Sequence, residues 1–290
     1  MSDQVTQAIL PIAGLGTRLL PTSLIFPKEL WPILDTPILQ IILEELQAAG
    51  IQEVIFVINH KKTAVQQYFS RQGNLELKKI CQKSQQLSLY KRHTKILDTL
   101  KFKFCYQKEA RGDGHALLQA QKLVRDQPFL VAFGDEIVLR ENPSKKIFNL
   151  FQRKKVPIVA LAEIPPAEVS HYGIIQPGQK LFQAVEVLAL VEKPLRHRAP
   201  SNLALTGKYL LKPEIFTLLK NLTQRKKEVR VIEALQVLVR TQPIWGQICQ
   251  GIRLDTGNPL GFFRAQLAFL ATQKKMRAPL KQCYQEFLGS

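Results

Sequence analysis

The chain alternates short apolar runs with amphipathic stretches. Ala8-Ile9-Leu10-Pro11-Ile12-Ala13 is an unbroken apolar run that ends in glycine, which predicts a buried strand feeding a loop. After a long loop, Thr36 and Pro37 predict the cap and first position of a helix; Ile38, Ile41, Ile42 and Leu46 form its apolar stripe and Gly50 its stop. Residues 54–58 are apolar again, a second buried strand. Strand, loop, helix, strand is a βαβ unit, and its crossover implies a parallel sheet. The alternation continues through a strand at 102–106, a helix at about 115–124 and a strand at 129–133 ending in Gly134-Asp135. Further strands are predicted at 156–162, 184–191 and 203–211, and helices around 229–239 and 260–271, while 70–101 reads as polar, basic helix and loop. The fold class expected is α/β: a Rossmann-like mixed, mostly parallel sheet flanked by helices, in one domain.

In open sheets of this kind ligands bind beyond the carboxyl ends of the strands. Gly14 to Arg18, Gln107 to Gly114 and Gly134-Asp135 should therefore converge. Gly14-Leu15-Gly16-Thr17-Arg18 follows a strand; its glycines let backbone N–H groups approach phosphate oxygens, and Arg18 adds a forked cationic donor. It matches neither the P-loop, which ends in Gly-Lys-Ser/Thr, nor the dinucleotide fingerprint, which has a third glycine. A bare turn accounts for the loop equally well on its own. Lys28, between Pro27 and Pro32 on the same long loop, could reach the phosphates that Arg18 touches.

Composition adds constraints. With 290 residues and 46% hydrophobic content the chain can bury a substantial core. No apolar run nears the roughly 18 residues that span a bilayer, and the start, Met1 to Gln7, is polar; a cytoplasmic protein without a membrane partner is expected. Cys81, Cys105, Cys249 and Cys283 are scattered without metal-ligand spacing and read as reduced structural thiols. The net charge of +18 invites a polyanion. Its basic residues, however, fall in short dispersed clusters such as 153–155 and 225–227 without interleaved aromatics, which argues against nucleic acid.

The stretch GLGTRLLPTSLIFPKELWPILDTPILQIILEELQAAGIQEVIFV closely resembles the amino-terminal signature of bacterial UTP–glucose-1-phosphate uridylyltransferases, within the sugar nucleotidyltransferases. QKEARGDGHA, FGDEIV, HYGII, VEKP, APSNLALTGKYLL and LDTGNPLGF extend the likeness over nearly the whole chain. The resemblance implies transfer of a uridylyl group from UTP to glucose 1-phosphate with Mg²⁺. It makes 1–140 mainly a nucleotide-binding half, 141–270 mainly a sugar-phosphate half and 271–290 a helical tail. Carried over by position, Ala13, Gly14, Gly16, Thr17 and Arg18 would cradle the triphosphate with Lys28; Glu29 would lie near the base; Gln107 and Gly112 would read uracil; Asp135 and Asp255 would hold the metal. Gly173, Glu192, Lys193 and Asn202 would bind glucose 1-phosphate, with Lys193 on the attacking phosphate. His115 reads as a first-turn helix residue outside catalysis. A homo-oligomer, dimer or tetramer, is also implied.

The chain departs from that pattern at two places. Leu24 replaces a lysine common in the loop before Pro27-Lys28-Glu29, and the GDEIQLTDA-like stretch reads Lys226-Lys227-Glu228-Val229-Arg230-Val231-Ile232-Glu233-Ala234, losing an amide and a hydroxyl. These changes touch the sugar end and subunit contacts more than the nucleotide end. A transferase for dTTP or another sugar, a non-catalytic regulatory relative, or a nucleic-acid binder are the competing readings.

Overall fold

The computed structural model describes residues 4–289; the first three residues of the polar start lie outside them. The strands of the main sheet and of a small ribbon follow one another as β1 (Gln7–Pro11), β2 (Glu53–Ile58), β3 (Lys101–Tyr106), β4 (Phe129–Ala132), β5 (Glu136–Leu139), β6 (Ile158–Glu163), β7 (Gly173–Leu181), β8 (Ala184–Glu192), β9 (Leu203–Leu211), β10 (Ile244–Cys249) and β11 (Ile252–Asp255). The main sheet runs β3-β2-β1-β4-β9-β6-β10-β8-β7. The first four strands are parallel, and β6 and β10 continue in the same direction, with β9 and β8 reversed. The expected mixed, mostly parallel sheet is what the chain forms.

The helices that cover it include α1 (Ile38–Ala48), α2 (Thr63–Tyr68), α3 (Arg71–Lys83), α4 (Leu87–Thr99), α5 (Gly112–Gln119), α6 (Pro143–Lys154), α7 (Glu214–Arg225), α8 (Val231–Leu238), α9 (Pro259–Thr272) and α10 (Arg277–Leu288). They split the core in two. One apolar cluster joins Leu10, Phe56 and Leu130 to Leu39, Leu43 and Phe151 on one face of the sheet. The other joins Ile9, Ile55 and Val131 to Leu117, Phe216 and Leu235 on the opposite face. Alternate residues of one strand thus serve opposite faces, which is why β4 is apolar throughout and β1 and β2 are apolar after their first residues, Gln7 and Glu53.

Some predicted boundaries move. Thr36 does not cap α1: the cap position is Pro37, with no side-chain capping bond, and the Thr36 hydroxyl instead donates to Asp35 (2.8 Å) and accepts from Arg92 (2.6 Å). The helix predicted at about 115–124 starts earlier, at Gly112, and gives way to a 3₁₀ turn at Gln121–Leu123. Residues 71–99, read as helix and loop, are two helices. The basic clusters have a local reason: Arg153 and Lys154 fall in the last turn of α6 and Arg225 in that of α7, where cations offset the helix dipole.

Two features unseen in the sequence shape the site. The first is the β5–β11 ribbon, whose register sets Asp255 opposite Glu136 and so brings the far end of the chain beside Asp135. The second is the β7–β8 hairpin. Register irregularities at 185–189 bend β8, and the hairpin curves until Ile174 on β7 pairs with Ala204 on β9. A ring of five strands, β9-β6-β10-β8-β7, results. It delivers Gly173 and Glu192, which face each other across β7 and β8, to the side of the parallel strands.

Candidate active site

Three cavities meet along the carboxyl edge of the parallel strands. The first, about 350 Å³, is walled by Ala13, Gly14, Lys28, Gln107, Gly112 and Asp135, with Glu29 at its back. The second, about 140 Å³, is walled by Gly173, Glu192, Lys193, Glu136 and Arg230. The third, about 800 Å³, carries Arg18, Lys193, Arg253, Asp255 and Arg264. Asp113 and Phe133 are shared by the first two, and Lys193 and Arg253 by the last two, so the cavities form one continuous groove.

The glycine-rich loop turns sharply to enter this groove. Gly16 sits at φ 66°, a conformation that favours glycine, and its carbonyl accepts a 2.8 Å bond from the Ser23 hydroxyl. A 3₁₀ turn over Thr17–Leu19 follows and carries Arg18, exposed, to the large cavity instead of the first. Gly16 and Thr17 are not on the walls of the three cavities.

Asp135 is the electrostatic centre. It follows β4, and its carbonyl accepts both the Thr256 N–H (2.8 Å) and the Thr256 hydroxyl (2.9 Å). Its carboxylate pairs with the Lys28 ammonium. Burial alone would raise its pKa, but Lys28, with Lys208 and Lys62 nearby, holds it below the ordinary carboxylate value. Lys28 answers in kind: burial opposes its charge, yet Asp135, Glu29 and Asp255 hold its pKa above the usual lysine value. Behind them Glu29, 2% exposed, is held by Lys62 through two 2.7 Å bonds, so its charge is compensated inside the wall of the cavity. Lys208, fully buried on β9, donates to the Glu136 carbonyl at 2.7 Å.

Asp255 comes in on the ribbon. Its Oδ1 accepts from the Gly257 N–H at 2.9 Å, and a Cβ on Gly257 would lie 2.8 Å from Asp135 Oδ2 and 3.0 Å from Asp255 Oδ1. The two carboxylates therefore flank one glycine face that no side chain could share. Two aspartates plus substrate phosphates are a donor set that suits magnesium.

On the wall of the first cavity, the Gln107 amide donates to the Gly112 carbonyl at 2.9 Å and meets His115 Nδ1 at 3.0 Å. Gly112 has φ 87°, and any Cβ there would sit 2.3 Å from the Val229 carbonyl; only glycine fits. At the second cavity Lys193 holds φ 47°, a strained backbone for a lysine, fixed by its N–H bond to the Tyr172 carbonyl at 3.0 Å. Asn202, by contrast, is exposed just before β9 and lies on none of the three cavity walls.

A nucleotidyl transferase family model matches residues 7–272. A UTP–glucose-1-phosphate uridylyltransferase of Staphylococcus haemolyticus is 35% identical over 281 residues, 96% of each chain. The chain belongs to the nucleotidyl transferase family. Among solved structures, the UTP-bound UGPase of Acinetobacter baumannii superposes with a TM-score of 0.87 at 28% identity, covering 98% of this chain and 100% of that one. A UDP-glucose pyrophosphorylase complexed with UDP-glucose gives 0.83 at 30% identity, covering 93% and 100%. Among the described residues, no helix of this nucleotidyltransferase is long and apolar enough to cross a membrane.

Sequence reasoning missed four groups in this site. Lys62 stands after Asn59-His60-Lys61 at the end of β2, and that strand-end position is a signal that could have found it. Asp113 lies inside the QKEARGDGHA stretch, between the first two cavities. Arg230 is marked in the sequence only as part of the departing 226–234 stretch, and Arg253 carries no local signal; each takes its role from a partner far along the chain, Glu192 and Glu136 respectively.

Two measurements follow from this geometry. Burial raises Asp113 to about 6 from a normal 3.8, against hydrogen bonding from the Val231 N–H and the nearby Arg230 charge. Its proton is thus bound more tightly in the folded state, so its contribution to stability is complete below about pH 4 and lost as pH rises through about 6. Relative to wild type, Asp113→Asn should gain up to about 3 kcal/mol in denaturant-measured stability between pH 4 and pH 7, and a flat difference would contradict the burial. Lys193→Asn places at φ 47° a residue that tolerates that conformation. It is expected to melt no lower than wild type while losing about 100-fold or more in nucleotidyl transfer.

Proposed function

We propose that the chain forms UDP-glucose and pyrophosphate from UTP and glucose 1-phosphate. The observation that carries this reading is the continuous groove in which a cationic loop, a carboxylate pair and a second, smaller cavity lie side by side. The names of the full-length relatives above support the same pair of substrates.

In this reading the uracil lies against Gln107 and Gly112, with Glu29 behind, and the triphosphate runs along the Ala13 and Gly14 backbone toward Lys28, reaching Gly16, Thr17 and Arg18 only after a local rearrangement of the loop. Glucose sits between Gly173 and Glu192, its phosphate held by Lys193; Asn202 would reach it only by a local rearrangement. An oxygen of the sugar phosphate attacks the α-phosphorus of UTP in line, a bond to that phosphorus forms, and the α–β bridging bond breaks with its electron pair leaving on pyrophosphate. The nucleophile is already ionised, so the protein's task is to align two polyanions and offset the charge between them. Arg18 and Lys28 stabilise the leaving side and Lys193 the incoming side. Asp135 and Asp255 would hold Mg²⁺, which when bound offsets further phosphate charge.

The same reading places the protein in the cytoplasm as a homo-oligomer, dimer or tetramer. Exposed Phe26, Leu260 and Phe263 support assembly through apolar surface. Pyrophosphate release from purified protein, Mg²⁺, each nucleoside triphosphate and a set of sugar 1-phosphates tests the substrate assignment. UTP with glucose 1-phosphate should be the fastest pair, about tenfold or more above dTTP. A faster dTTP reaction, or none with any pair, would overturn it.

A further inference from the structure

Segment 228–231 forms the partition between the first two cavities. It is fixed to residues 111–114: the Val229 N–H donates to the Arg111 carbonyl (2.9 Å), the Val229 carbonyl accepts from the Gly114 N–H (2.9 Å), and the Val231 N–H donates to Asp113 Oδ1 (2.7 Å). Arg230 stands in the middle of this partition, where the sugar nucleotidyltransferase pattern has an uncharged amide. Its Nη1 donates to Glu192 Oε1 at 2.7 Å, and its Nε to Glu228 Oε1 at 3.3 Å. Glu228 lines the first cavity and Glu192 the second.

A glutamate in a wide groove has several rotamers, and a sugar hydroxyl bond needs one of them. Here Glu192 Oε1 is engaged by Arg230 and approached by Lys193 at 3.7 Å. Oε2 is left 3.4 Å from the point where a Cβ on Gly173 would sit, on the open face of the second cavity. Beside it on the same wall, Ile232 Cδ1 lies 2.5 Å from that point, where the family stretch has a hydroxyl. Asp113, Glu136 and Arg253 line the rest of the cavity, so a sugar there meets an oriented Glu192 oxygen next to an apolar side chain, with further polar groups around it.

Resting on the reading that the second cavity receives the sugar, we propose that Arg230 is a positioning residue: it fixes the hydroxyl-facing oxygen of Glu192 and thereby sets selectivity among hexose 1-phosphates. A fixed acceptor favours the epimer whose hydroxyl meets it and disfavours the one that leaves it unpaired.

The test compares wild type, Arg230→Gln and Arg230→Lys in steady-state kinetics with UTP and glucose, galactose or mannose 1-phosphate, alongside calorimetric titration of glucose 1-phosphate. Arg230→Gln restores the family's amide but removes the charge. It should raise the KM and Kd for glucose 1-phosphate about tenfold, leave the KM for UTP within about twofold, and lower the preference for glucose over its epimers by a similar factor. Arg230→Lys should recover most of the loss. An Arg230→Gln enzyme with unchanged glucose 1-phosphate affinity and unchanged preference overturns the proposal alone, as does a variant in which both KM values rise together with a fall in melting temperature. A wild type that neither binds nor converts glucose 1-phosphate overturns the proposal and the parent reading together, whereas a wild type that converts it keeps the two questions separate.

Discussion

A carboxylate shielded at the end of a buried strand stays charged only if a cation is fixed beside it, and the contact of Asp135 with Lys28 is where the structure meets that requirement. The consequences spread outward. Lys28 must be brought in from the long loop after β1, so that loop is pinned across the mouth of the groove. Its neighbour Glu29 is pulled under the surface and needs its own cation, which Lys62 provides from the end of β2. The Asp135 carbonyl draws in Thr256, and with it Asp255 and the start of α9. Three regions distant in the chain are thus held around one ion pair, and the large cavity opens beside them.

This arrangement also explains why the two halves of the groove differ. The half around the first cavity is assembled from the ends of parallel strands and one ion-paired loop. The half around the second cavity depends on the bent β7–β8 hairpin, on a left-handed Lys193 and on the partition at Arg230. The departure at 226–234 falls in this second region, where geometry is set by side-chain pairs that can be exchanged without disturbing the sheet, whereas Leu24 lies in the loop of the first.

The same division governs what could be read from the sequence. β1, β2 and β4 were legible because a parallel strand buried on both faces is a continuous apolar run, and the glycines after β1 and β4 mark where chemistry can sit. Lys28, Asp135 and Lys193 were found from those strand ends and from the family's motifs. The β5–β11 ribbon was not legible: its strands are four residues each, and Arg253 interrupts the second with a charge that only its folded partners, Glu136 and the Tyr172 ring, explain. β7 was hidden by Pro177, Gly178 and Lys180, which suit its place at the edge of the sheet. Thr36 looked like a helix cap because local spacing cannot reveal that Arg92 claims its hydroxyl. Pairs such as Lys62 with Glu29 and Arg230 with Glu192 depend on contacts made only after folding.

The central claim, that the Asp135–Lys28 pair organises the groove, is tested most directly by the thermal stability of Lys28→Met, Asp135→Asn and the double variant at neutral pH. Removing only the lysine leaves a partly exposed carboxylate that Lys62 and Lys208 offset only in part, so Lys28→Met should lose about 1–2 kcal/mol, and adding Asp135→Asn should restore most of it because the under-compensated charge is gone. Equal stability of Lys28→Met and wild type, or a double variant no more stable than Lys28→Met, would contradict the claim.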